Sequence, residues 1–95
     1  MSANPVPIAL FRLGRIVVTP NALARLSTEE ITQAIRRHQA GDWGDVNEQD
    51  RQVNNLALEQ GARLVSLYQS IQGVKLQVIT EAGRSVTTIL LAEDY

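Results

Sequence analysis

The chain has 95 residues, about one domain's worth, with nine Lys and Arg against ten Asp and Glu and 44% hydrophobic residues. That composition excludes whole-chain disorder, and a net charge of −1 excludes both a basic DNA-coating protein and an acidic DNA mimic. Cysteine is absent, which removes disulfide frameworks, thiol nucleophiles, thiolate zinc sites and iron–sulfur clusters.

No apolar run approaches the ~20 residues of a membrane span, and the first residues show no basic stretch leading into an apolar one. The expectation is a cytoplasmic protein with no membrane partner. Residues 1–7 hold two of the three prolines and read as a flexible lead-in; residues 8–95 read as a single α+β domain. From Ile8 to Thr19 the chain is rich in β-branched and apolar residues, with Gly14 as a bend, and reads as a first strand. Thr19-Pro20 fits a cap followed by proline at the first helical position, opening a short turn over Asn21 to Leu26.

Ser27-Thr28-Glu29-Glu30 is a capping box: Ser27 can cap the helix while Glu30 reaches back to it. Ile31, Ala34, Ile35 and His38 then recur on one face, Arg36 and Arg37 lie on the other, and Gly41 can end the helix in a left-handed turn. The predicted helix covers 28–40. Asn47, followed by Glu48 and Asp50, starts a second helix that carries Val53, Leu56 and Ala57 up to Gly61. Beyond Gly61 the period becomes alternating, predicting strands at 63–71, 74–80 and 85–91 joined by hairpin-length links. The predicted fold is therefore α+β: a single antiparallel sheet of about four strands, in the order strand, helix, helix, three-strand meander, with helices on one face.

His38 is the only histidine, so acid/base chemistry near neutral pH would fall to it, although a histidine closing an apolar stripe is more often packed. Asp42, Asp45, Glu48 and Asp50 are close in sequence but lack the order of a calcium loop, and with no cysteine and one histidine no metal or cofactor is expected. Around the last hairpin, Arg84, Ser85, Thr87 and Thr88 offer donors that suit a phosphate; the plain reading is a polar solvent face. All but one of the nine basic residues are arginines. Five of them lie in the first 37 residues, while the remainder of the chain is net acidic, a distribution suited to steering a partner.

Phe11 to Val17, the block His38-Gln39-Ala40-Gly41-Asp42-Trp43-Gly44, Asp50 with Asn54 or Asn55, and Ile79 to Ala82 with Arg84-Ser85 and Thr87 to Leu91 carry a resemblance. Together they resemble a family of small bacterial proteins of plasmids and integrated elements, called plasmid-related proteins and sometimes labelled type I restriction endonuclease subunit M. The methyltransferase label does not suit a chain without a cofactor pocket motif or the length for one. Where that family tends to carry an aspartate in the last hairpin and a proline near the tail, this chain has Gly83 and Ala92.

The resemblance implies an accessory protein of mobile elements and brings no defined activity with it. The residues favour a non-enzymatic protein-binding module, and the resemblance implies that it docks on a host or mobile-element protein, with a host defence system as the target. Its expected anchors are Trp43, Arg36, Arg37, Tyr68 and Tyr95. Nucleic acid is not the favoured partner, and the open edges of a four-stranded sheet suit a homodimer. The alternative is a metal-free ribonuclease of the barnase, EndoU or RelE type, with His38 as acid/base, Arg84 stabilising the phosphate, and Ser85, Thr87 or Thr88 positioning it.

Overall fold

The computed structural model describes residues 9–94, so the expected lead-in at 1–7 and the anchor at Tyr95 lie outside the described residues. In chain order the elements are β1 (Arg15–Val18), α1 (Pro20–Arg25), α2 (Thr28–Gln39), α3 (Glu48–Gln60), β2 (Leu64–Gln69), β3 (Lys75–Thr80) and β4 (Val86–Leu91). Short 3₁₀ turns at Ala82–Arg84 and Ala92–Asp94 flank β4.

Each helix starts where its cap dictates. Thr19 accepts from the Ala22 amide ahead of Pro20, and Asn47 from that of Asp50. Ser27 and Glu30 close the capping box from both sides, each bond 3.0 Å long. These bonds satisfy amides that a helix N-terminus otherwise leaves without partners.

Among the described residues the four strands form one sheet in the order β1-β4-β3-β2. The last three strands pair antiparallel, as predicted, with Val78 opposite both Ser66 and Ile89. The first strand corrects the expectation of a purely antiparallel sheet: β1 lies beside β4 and runs parallel to it, with Arg15 opposite Val86. The helices that follow β1 carry the chain across the sheet to its far edge, and the meander returns to β1 in the same direction as β1 itself.

β1 is also far shorter than the predicted 8–19. Gly14 adopts a left-handed φ of 65°, and a side chain there would meet the Ser85 backbone at 2.4 Å, so the chain bends off the sheet at this point. Residues 10–13 run instead over the helical layer: the Leu10 amide donates to the Gln39 carbonyl, and Gln39 Nε2 donates to the Phe11 carbonyl.

One sheet face packs against the helices. Its apolar half joins Tyr68, Leu76, Val78, Ile89 and Leu91 to Ala22, Leu26 and Ala34. A second cluster near α3 gathers Trp43, Ala57 and Leu64, with Phe11 and Leu58 packed against it. The outer edge of β2 is closed by two devices. The Leu67 amide donates to the Trp43 carbonyl, while the Leu67 carbonyl accepts from Asp45. One residue pair along, the Asn54 side chain imitates a strand, donating to the Val65 carbonyl at 2.7 Å and accepting from the Val65 amide at 3.2 Å.

Candidate functional site: a buried histidine network

His38 sits in the last turn of α2, on the same face as Ala34, and its side chain is completely buried. The helix sets it over the sheet where three hydroxyl residues, one from each meander strand, share the inner face: Ser66, Thr80 and Thr87. Nδ1 lies 2.6 Å from Ser66 Oγ and Nε2 lies 2.9 Å from Thr80 Oγ1, which in turn is 2.7 Å from Thr87 Oγ1.

Hydrogen counting fixes the direction of every bond. Thr87 donates its one hydroxyl hydrogen to the Leu13 carbonyl at 2.7 Å. Thr80 must then donate to Thr87, and so can only accept from His38, which places the imidazole hydrogen on Nε2. Nδ1 is left as an acceptor for the Ser66 hydroxyl. The chain Ser66, His38, Thr80, Thr87, Leu13 is thus satisfied from end to end with a neutral ring, and no side-chain polar atom buried among the described residues lacks a partner.

Burial pushes the His38 pKa down to about 4, and the nearby Arg84 charge works in the same direction. Phe11 meets the imidazole edge-on at 5.2 Å between ring centroids and Trp43 does so at 5.7 Å, closing the ring off from solvent.

Arg84 is near this network but is engaged elsewhere. Its guanidinium donates to the Ala62 carbonyl at 2.5 Å and to the Ala57 carbonyl at 3.1 Å, tying down the C-terminal end of α3. It also lies over the Phe11 ring at 5.4 Å, so Phe11 contacts both guanidinium and imidazole. Of the residues expected beside it, Ser85 is exposed and spends its carbonyl on the Arg15 amide. Thr88, half-buried, points to the sheet face opposite Thr87. The structure therefore joins His38 and Thr87 through Thr80, and does not gather Arg84, Ser85 and Thr88 around the ring.

Two expected surface anchors lie in the interior. Trp43 is 3% exposed and donates from Nε1 to Asn55 Oδ1 at 2.9 Å; the turn that carries it folds inward against Leu64 and Ala57. Tyr68, 4% exposed, packs on the inner face beside Leu76, and its hydroxyl donates to the Asp42 carbonyl at 2.5 Å. Burial pushes the phenol pKa up to about 12.

Arg36 is exposed, and Arg37 stacks its guanidinium 4.4 Å from the Tyr68 ring centre while its Nε donates to Asp42 at 2.7 Å. That hydrogen bond holds the Arg37 pKa above, and the Asp42 pKa below, their ordinary values. Glu48 pairs with Arg51, and no three ligand-type side chains converge on a metal-sized space among the described residues.

Ser66 drew no notice in the sequence, and Thr80, Phe11 and Asn54 entered only among the residues that carry the resemblance, with no role assigned to them. The signal available for the first two was a hydroxyl at an inward register position on neighbouring strands, which gains meaning only once a buried imidazole lies opposite. No helix among the described residues is long and apolar enough to cross a membrane. No family model matches the chain, and neither a curated protein nor a solved structure does.

Proposed function

We propose that the chain is a small non-enzymatic protein-binding module, an accessory factor of a mobile genetic element that docks on a host or element protein and acts on a host defence system. The observation that carries the binding reading is a cleft of about 500 Å³ between α2 and the β2–β3 hairpin. Ala34, Tyr68 and Leu76 give it an apolar floor, Gln33 and Gln72 a polar rim, and Ile71 stands 95% exposed beside it. A large aliphatic side chain held in water next to an apolar floor suits a protein partner better than a small polar substrate. The ribonuclease reading requires a solvent-facing acid/base, whereas the imidazole is sealed, neutral and bonded at both nitrogens.

The test is site-directed photo-crosslinking in the bacterial cytosol, with the crosslinking residue at Gln33, at Gln72 or, as a control, at Glu59 on α3. Capture of one protein from both cleft positions, absent from the control and lost in Ile71→Asp, is expected. Capture that ignores position, or RNA cleavage by the purified chain that disappears in His38→Ala, would overturn the reading.

A further inference from the structure

We propose that the outer edge of β1 is a self-complementary interface through which two copies of this chain join their sheets, antiparallel, across a two-fold axis. The two sheet edges are treated differently. That of β2 is closed by the Trp43–Asp45 segment and by the Asn54 amide, whereas among the described residues β1 is bonded on its β4 side only. The Arg15 and Thr19 amides donate inward, to the Ser85 and Ile89 carbonyls. By alternation Val17 also faces β4, and Ile16 and Val18 turn their N–H and C=O groups outward. Ile16 is in addition 45% exposed, on the helical side of the sheet.

The charges around this edge select the occupant. At one end Arg15 is exposed and makes no ion pair among the described residues. At the other, Asp94 accepts from Thr19 Oγ1, Asn21 Nδ2 and the Leu91 amide, all neutral donors, and makes no ion pair among the described residues. An edge that is positive at its start and negative at its end is complementary to itself reversed.

Pairing Ile16 with Val18 of the second copy uses every outward backbone group of both residues and sets Val17 against Val17. It also places Arg15 opposite Thr19 of the second copy, and cross-strand neighbours sit about 5 Å apart at Cβ. The guanidinium then reaches the carboxylate of Asp94 that Thr19 holds at 2.8 Å, and the two-fold axis makes the pair twice. An acidic or basic foreign strand would satisfy one end of the edge and oppose the other.

Sedimentation equilibrium of the full chain tests this. A reversible dimer is expected at about 0.1 mM, weakening as salt is raised. Ile16→Pro removes an outward N–H and leaves the β4 bonds of Arg15 and Val17 in place, while Arg15→Asp sets like charges together. Each should raise the dissociation constant about tenfold or more with the circular dichroism spectrum unchanged. A wild-type chain that stays monomeric at about 1 mM, or a dimer equally tight in both variants, would overturn the proposal. The β1 edge lies across the sheet from the hairpin cleft, so either reading can fail while the other stands.

Discussion

The inner face of the sheet has two halves built on the same three strands. In one, Tyr68, Leu76, Val78, Ile89 and Leu91 meet α1 and α2 through apolar surface. In the other, Ser66, Thr80 and Thr87 meet His38 through hydrogen bonds that each have a single permitted direction. Both halves are equally buried, yet they tolerate different kinds of change. The apolar half needs volume, and a slightly smaller side chain costs in proportion to what is lost. The polar half needs completeness, because deleting one member leaves its neighbours buried without partners.

The sharpest way to break this contrast is His38→Ala. It opens a cavity, leaves the Ser66 hydroxyl without its acceptor and takes from Thr80 the donor it accepts from, so a loss of about 4 kcal/mol in urea unfolding is expected. Acid should do similar damage without a mutation. The folded-state pKa is depressed, to about 4, so above the ordinary value of 6.5 the stability is fully present. As pH falls below 6.5 the unfolded chain takes up a proton that the folded chain refuses. On the order of 3 kcal/mol should disappear by pH 4 and be missing from the profile of His38→Gln.

Thr87→Val is nearly isosteric, yet it removes the donor to Leu13 and the acceptor for Thr80, for an expected cost of about 2 kcal/mol. Its partner experiment, Ile89→Val on the same strand and face, deletes one methylene and should cost about 1 kcal/mol. If the two strand variants came out equal in chemical denaturation, the distinction between volume and completeness would fail.

Local signals were legible in the sequence and non-local ones were not. Ser27 with Glu30, Asn47 and Thr19 with Pro20 place helix starts because a cap acts within one turn of itself. The stripe Ile31, Ala34, Ile35 and His38 correctly placed the imidazole on the apolar face of α2. Thr80 and Thr87, in contrast, read equally well as solvent-facing, since a period of two says that faces alternate without saying which is inside. What decides it is His38, which lies 42 residues before Thr80.

Arg84, which the plain reading leaves as part of a polar hairpin, shows the same limit. Beside a hairpin a guanidinium suggests a phosphate, but its actual acceptors are carbonyls at the end of α3, 22 and 27 residues away. Trp43 follows the same rule: the turn Gly41–Gly44 suggested exposure, and the parallel bridge from Gly44 to Leu67 draws it inward. The direction of β1 was hidden because β1 pairs with the last strand and not with a neighbour in sequence.

That pairing bears on how the protein comes to be folded. The hydroxyl chain ends on the Leu13 carbonyl, 74 residues from the Thr87 that donates to it. Closing so long a loop carries a large entropic cost, which the hairpins of the meander avoid. β1 can pair only once β4 is in place to receive it. Until then the histidine network stays one bond short, because Thr87 gains its acceptor only when the segment that carries Leu13 reaches β4.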